Sequence, residues 1–168
     1  MSQDYREAFY ERRFQRLAKD VPGFRADITR AIVSMAWLHD AMSRQFNLRL
    51  SQFELTTASF NVLAILQELG EAPLHELGRL LVKTAANVTG LVDGLVKRGL
   101  VQRVAHSEDR RVKLARLTPA GERLIEEVLP QHHSSACDLF GVLSPDELES
   151  LTAMTRRLMK NLPDEGAA

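Results

Sequence analysis

The apolar residues of this chain fall at helical spacing over most of its length, and the period changes in one place. Between Gly99 and Thr118 the helical pattern gives way to two short runs, Leu100-Val101-Val104 and Val112-Leu114-Leu117. They read as strands joined by His106-Ser107-Glu108-Asp109-Arg110-Arg111. A hairpin set inside a helical chain leaves few architectures open. Before it, Tyr10, Phe14, Leu17 and Val21 mark a short helix ended by Pro22-Gly23. Phe24 to about Asn47 forms a longer one, with Ile28, Ile32, Met35, Leu38, Met42 and Phe46 on one stripe. Thr56 is the expected N-cap of a helix stopped by Gly70. A short helix spans about Pro73 to Leu81, and another begins near Thr84 and ends at Gly99. After the hairpin, Thr118-Pro119 opens a helix to about Phe140. Ser144-Pro145-Asp146-Glu147, a capping box, opens a last helix to about Leu162.

Composition excludes more than it identifies. At 168 residues, 45% apolar and 26% charged, the chain is an ordinary globular domain that needs no metal or disulfide staple. No apolar run approaches the ~20 residues of a membrane span. The charged start (MSQDYREAFYERR) does not read as a signal peptide, and the single Cys137 suits a reducing compartment, so a cytoplasmic location is expected. Gly-rich phosphate loops, nucleophile elbows and metal motifs are missing from the sequence, so neither an enzyme nor a cofactor is expected. His132 and His133 adjoin on a helix and point about 100° apart, a poor chelating pair.

A formal net charge of zero argues at first against a nucleic-acid partner. The charges are unevenly placed, however. Residues 1–72 carry 9 basic and 9 acidic side chains; residues 73–118 carry 9 basic against 4 acidic, net +5; residues 119–168 carry 4 basic against 9 acidic, net −5. A basic middle suggests a local anionic partner.

The order helix, helix, short helix, turn, helix, hairpin is the plan of a winged helix-turn-helix. In the helix from Thr84, Val88, Leu91, Val92 and Leu95 form one apolar face. At about 100° per residue, the outward positions are Ala86, Asn87, Thr89, Gly90, Asp93 and Lys97. Small and hydrogen-bonding groups there suit a major groove about 12 Å wide; Asn87 and Thr89 are the best base-edge candidates. Thr84 caps the helix, whose free N–H groups suit a phosphate. Arg79 and Lys83 are placed for phosphates. Arg110 and Arg111 at the hairpin tip, backed by Lys113 and Arg116, suit the negative potential of a narrow minor groove. The competing class is a helical interaction module that does not bind DNA.

The runs Leu77-Gly78-Arg79-Leu80-Leu81, Asn87 to Arg103, Ser107-Glu108-Asp109-Arg110-Arg111 and Leu117-Thr118-Pro119-Ala120-Gly121 closely resemble the MarR family of bacterial transcription regulators. Asp-Arg-Arg followed by Leu-Thr-x-x-Gly is the most specific element. The resemblance is closest over residues 55–124. It implies a mainly α fold with a two- to three-stranded β wing. It divides the chain into an extension and first dimerisation helix (1–54), a winged DNA-binding lobe (55–118) and C-terminal dimerisation helices (119–168). It further implies a homodimer on a palindromic operator, a repressor released by a small aromatic or phenolic effector. Trp37, His39 and Arg44 on the long first helix are the effector candidates; a single Trp on an amphipathic helix is also an ordinary core residue. Gly90 and Gly94 depart from the family's usual polar residues; Gly90 removes a base contact while letting the backbone approach DNA. Cys137 does not match the first-helix cysteine of peroxide-sensing members, and a buried or inert thiol is expected.

Overall fold

The computed structural model describes residues 3–81, 84–105 and 113–163. Helices α1 (Gln3–Asp20), α2 (Ala26–Leu50), α3 (Thr57–Leu69), α4 (Leu74–Leu81), α5 (Ala85–Lys97), α6 (Pro119–Phe140) and α7 (Pro145–Lys160) alternate with strands β1 (Glu71–Pro73), β2 (Val101–Ala105) and β3 (Lys113–Leu117). A 3-10 turn, Ser51–Phe53, follows α2. None of the described helices is long and apolar enough to cross a membrane.

The helix boundaries have local causes. Thr56, Thr84, Thr118 and Ser144 each sit in extended backbone and accept a hydrogen bond from the amide three residues on. Ser59 and Glu147 complete reciprocal capping boxes. The backbone hydrogen bond and the Ser144 hydroxyl hold the Glu147 carboxyl below its usual range. Gly70 (φ 73°) and Gly99 (φ 71°) take positive φ angles that a Cβ would oppose. Helix α1 starts well before Tyr10, and α2 runs one turn beyond Asn47.

The chain forms two compact units, residues 1–48 and 49–168. In the first, Phe14 is buried and its ring lies near Tyr10 and Phe24. Tyr10 meets Trp37 edge-on at 5.2 Å, and Arg30 of α2 pairs with Glu11 of α1 at 2.9 Å. The α2 stripe stays open: Ile28, Ile32, Met35 and Leu38 are all exposed.

In the second unit, Phe60, Val62, Leu63 and Leu66 of α3 form the centre of the core. Leu77 of α4, Val88, Val92 and Leu95 of α5, and Ala115 and Leu117 of β3 close around them. The core continues without a break into α6 through Ile125 and Val128, so Pro119 marks no boundary in it. The sheet has the order β1-β3-β2, both pairs antiparallel, with Val101 opposite Leu117 and Ala72 opposite Ala115. The hairpin expected from sequence therefore gains a third strand, with Pro73 on an edge where its missing N–H is tolerated. Beyond Ser135 the core ends. Leu139, Leu151, Met154, Leu158 and Met159 are exposed. Cys137 is exposed too, 3.5 Å from His133 Nε2, so of the expected buried or inert thiol the buried alternative does not hold.

Candidate nucleic-acid interface

The buried stripe of α5 fixes what its other side presents. With Val88 and Val92 fully buried and Leu95 nearly so, Ala86, Asn87, Gly90, Gly94 and Lys97 are exposed, and Thr89 is half-buried. Asn87, Gly90, Gly94 and Lys97 follow one another at three- and four-residue steps, one line along the helix. Thr84 is exposed at its head; its hydroxyl accepts from the Asn87 amide at 3.4 Å. Nothing lies within 4 Å of a Cβ built on Gly90 or Gly94, so protein packing does not require either glycine. Two glycines inside a helix cost about 1 kcal/mol each relative to alanine.

The basic residues divide into two groups. Arg79, Lys97 and Lys113 are exposed and make no ion pair among the described residues. Arg98, Arg103 and Arg116 are committed to the protein. Arg116 on β3 stands directly opposite Glu71 on β1 in the strand register and donates to its carboxylate, Nε to Oε2 at 2.9 Å. It is thus a cross-strand partner, not the wing cation expected from sequence. Arg103 on β2 pairs with Asp93 of α5 at 2.7 Å. This pair neutralises the one carboxylate that α5 carries, which would otherwise repel a phosphate. Arg98 donates to two backbone carbonyls, Glu54 O at 2.6 Å and Phe53 O at 3.0 Å. Lys83, Arg110 and Arg111 lie outside the described residues.

Sequence reading alone did not find these three engagements. Arg98 stands at the C-cap of a helix, where a cation also suits the helix dipole, and its partners are more than forty residues away. The Arg116–Glu71 pair becomes visible only when β1 is recognised as a strand.

The last of these elements to be tied down is the end of α5. Thr118 caps α6 and also donates its hydroxyl to Gly99 O at 2.6 Å, while its amide donates to Leu100 O at 3.0 Å. Gly121 is buried against the same segment: a Cβ there would overlap the Leu100 carbonyl oxygen and lie 3.0 Å from its carbon. The Leu-Thr-Pro-Ala-Gly run is therefore the joint between the wing, α5 and α6.

In the first unit, a hollow of about 620 Å³ lies between α1 and α2. Trp37 and Arg44 line it, with Arg6, Glu11, Phe14 and Arg30. The Arg6 guanidinium sits 5.4 Å from the centre of the Trp37 ring. His39 is not part of this wall; it is exposed and 3.6 Å from Asp40. His132 belongs to the second unit, against the Phe60 ring at 4.2 Å. Burial, and then the neighbouring His133 charge, hold its pKa below the usual histidine value. Among the described residues, no cluster of three metal-ligating side chains occurs.

The sequence profile of the MarR family matches residues 55–113. The transcriptional regulator MhqR of Bacillus subtilis is 30% identical over 121 residues, covering 72% of this chain and 83% of that one. A mutant MarR of Escherichia coli, solved in complex with operator DNA, superposes with a TM-score of 0.71 at 25% identity, covering 82% of this chain and 96% of that one. BpsR of Bordetella bronchiseptica, whose structure addresses the regulation of its DNA binding by 6-hydroxynicotinic acid, gives 0.70 at 27% identity, with 77% and 91% covered. A three-stranded winged lobe, a helix with a bare outward face and this degree of likeness lead to one conclusion: the chain belongs to the MarR family of winged helix-turn-helix, DNA-binding transcription regulators.

Proposed function

We propose that the chain acts as a homodimeric repressor, placing α5 of each protomer in the major groove of a palindromic operator. The observation that carries this reading is the outward face of α5, exposed, small and free of net negative charge. Asn87 and Thr89 take the base edges, while Ala86 and Gly90 let the helix backbone sit deep in the groove. Thr84, Arg79, Lys83 and Lys113 hold phosphates, and Arg110 and Arg111 enter the minor groove. The open apolar stripes of α2 and α7 support the dimer, since single exposed apolar residues are ordinary but continuous stripes mark an interface. The winged lobe is then the reading head, and α1, α2 and the C-terminal helices the dimerisation region.

A small aromatic acid bound in the α1–α2 hollow is the proposed releasing ligand. Trp37 offers its ring and Arg44 a guanidinium without an ion-pair partner among the described residues. The reported regulation of BpsR by 6-hydroxynicotinic acid supports this class of ligand. Ligand lowers DNA affinity only by favouring a state whose two heads mismatch the half-sites.

Selection of bound duplexes from a random pool tests the reading. It is expected to return an inverted repeat with half-site centres about one helical turn, ~34–36 Å, apart. Recovery of no common sequence contradicts it. On the selected duplex, Arg111→Ala is expected to weaken binding by about 1–3 kcal/mol without changing the thermal midpoint. Unchanged affinity counts against wing insertion.

A further inference from the structure

The far end of α5 is held from two directions. One is the Thr118 joint with Gly99 and Leu100. The other is Arg98, the C-cap of α5, which reaches back to the turn closing α2. There Glu54 adopts a left-handed conformation (φ 54°, ψ 33°), the one described non-glycine residue with positive φ. Its amide donates to Ser51 O at 2.9 Å, and the Leu55 amide donates to Leu50 O at 3.0 Å. The helix end is thereby wrapped in the manner of a Schellman turn. The Phe53 and Glu54 carbonyls point to the two arms of the Arg98 fork, and the Glu54 carboxylate lies 3.5 Å from Nη2. A planar fork carrying parallel donors fits two neighbouring carbonyls in a way that a single ammonium does not. The Arg98 side chain is 32% exposed and both its arms are engaged, whereas Arg79, Lys97 and Lys113 make no ion pair among the described residues.

We propose that Arg98 is a positioning residue for DNA recognition: it latches the C-terminal end of α5 to the Phe53–Glu54 turn and so sets how the outward face of α5 enters the groove. The inference rests on the reading of α5 as the recognition helix. The asymmetry of the helix supports it. The C-terminal end is tied at Arg98, Gly99 and Leu100, whereas the face from Ala86 to Gly90 is exposed. An error of tilt at the tied end is carried along the whole helix to the base-reading residues.

Arg98→Met keeps the aliphatic stem and removes the fork. In the free protein, amide exchange at Glu54, Leu55, Gly99 and Leu100 is expected to rise about tenfold, the scale of one charged hydrogen bond, with the α3 amides unchanged. Affinity for the selected operator is expected to fall about tenfold. Affinity for random-sequence duplex, and the salt slope, are expected to stay as in the parent. A loss shared by operator and random DNA, with a slope shallower by about 1, makes Arg98 a phosphate contact and overturns the latch. Unchanged exchange at the four amides overturns it as well. Should Arg98→Met destabilise every amide together, Arg98→Lys decides by the same readouts: it keeps the charge, and full operator affinity in that variant refutes a role for the fork. If the parent binds no duplex at all, the operator reading fails, while the exchange measurement still decides whether the latch exists.

Discussion

Gly121→Ala is expected to destabilise the lobe by about 1–3 kcal/mol or more, through overpacking against backbone that cannot give way. The glycine lies in the first turn of α6, and its missing side chain is the space occupied by the Leu100 carbonyl. Leu100 is no free loop residue: its amide donates to Leu95 O and its carbonyl accepts from Thr118, so the added methyl cannot be relieved by moving one bond. The Leu117 side chain, 3.3 Å from the same point, closes the other side. Urea or thermal unfolding checks the result. For a compact unit of this size, the expected loss moves the thermal midpoint by several degrees, about 2–8 °C per kcal/mol. A midpoint at or above that of the parent would mean that α6 stands off Leu100 and that the joint is misplaced. Because the joint also terminates α5, the variant is expected to lose operator affinity in step with its loss of folded protein.

The double change Gly90→Ala and Gly94→Ala is expected to act with opposite signs on stability and binding. Both positions are helical, exposed and empty around a built Cβ. Alanine there removes unfavourable helix propensity and restricts the unfolded chain, a gain of about 0.5–1 kcal/mol per site. On DNA, the proposed groove position of α5 leaves no room for two methyl groups. Operator affinity is expected to fall by about tenfold or more, the size of a 1–3 kcal/mol overpacking cost at the interface. Thermal unfolding and operator titration on the same sample check the pair of effects. A variant both more stable and equally tight on DNA would place the glycines away from the groove. A variant less stable than the parent would contradict the open surroundings of these positions. A propensity effect alone has one sign, so the two measurements separate packing in the protein from approach to DNA.

Much of the scaffold was legible in the sequence because its signals are local. Thr56, Thr84, Thr118 and Ser144 announce helix starts through their own side-chain chemistry, and each is a cap in the structure. The apolar period of α5 fixed its inward residues, and with them the outward ones. What stayed hidden depends on pairing at long range. Strand β1 is three residues ending in proline, too short to carry a period; it is a strand because β3 pairs with it. A count of charges gave the middle segment a net basic balance, but could not show that Arg98, Arg103 and Arg116 are held by Glu54, Asp93 and Glu71. The basic surface is consequently narrower than the count, resting among the described residues on Arg79, Lys97 and Lys113. The exposure of Cys137 has a related cause. Its helix is buried at Ile125 and Val128, but the core runs out at Ser135, two residues before it. The candidate effector residues divide likewise: Trp37 and Arg44 share the wall of one hollow, and His39, two residues from Trp37, faces away from it.

Duplex binding by a protein of zero net charge is tested most directly by titrating the selected palindromic duplex at several salt concentrations. A winged dimer neutralising ~6–8 phosphates releases about 0.9 counterion per contact, so the logarithm of the association constant is expected to fall against the logarithm of salt with a slope of about −5 to −7. Binding that does not change with salt, or no binding to the palindromic duplex at low salt, would rule out an operator interface built on phosphate contacts.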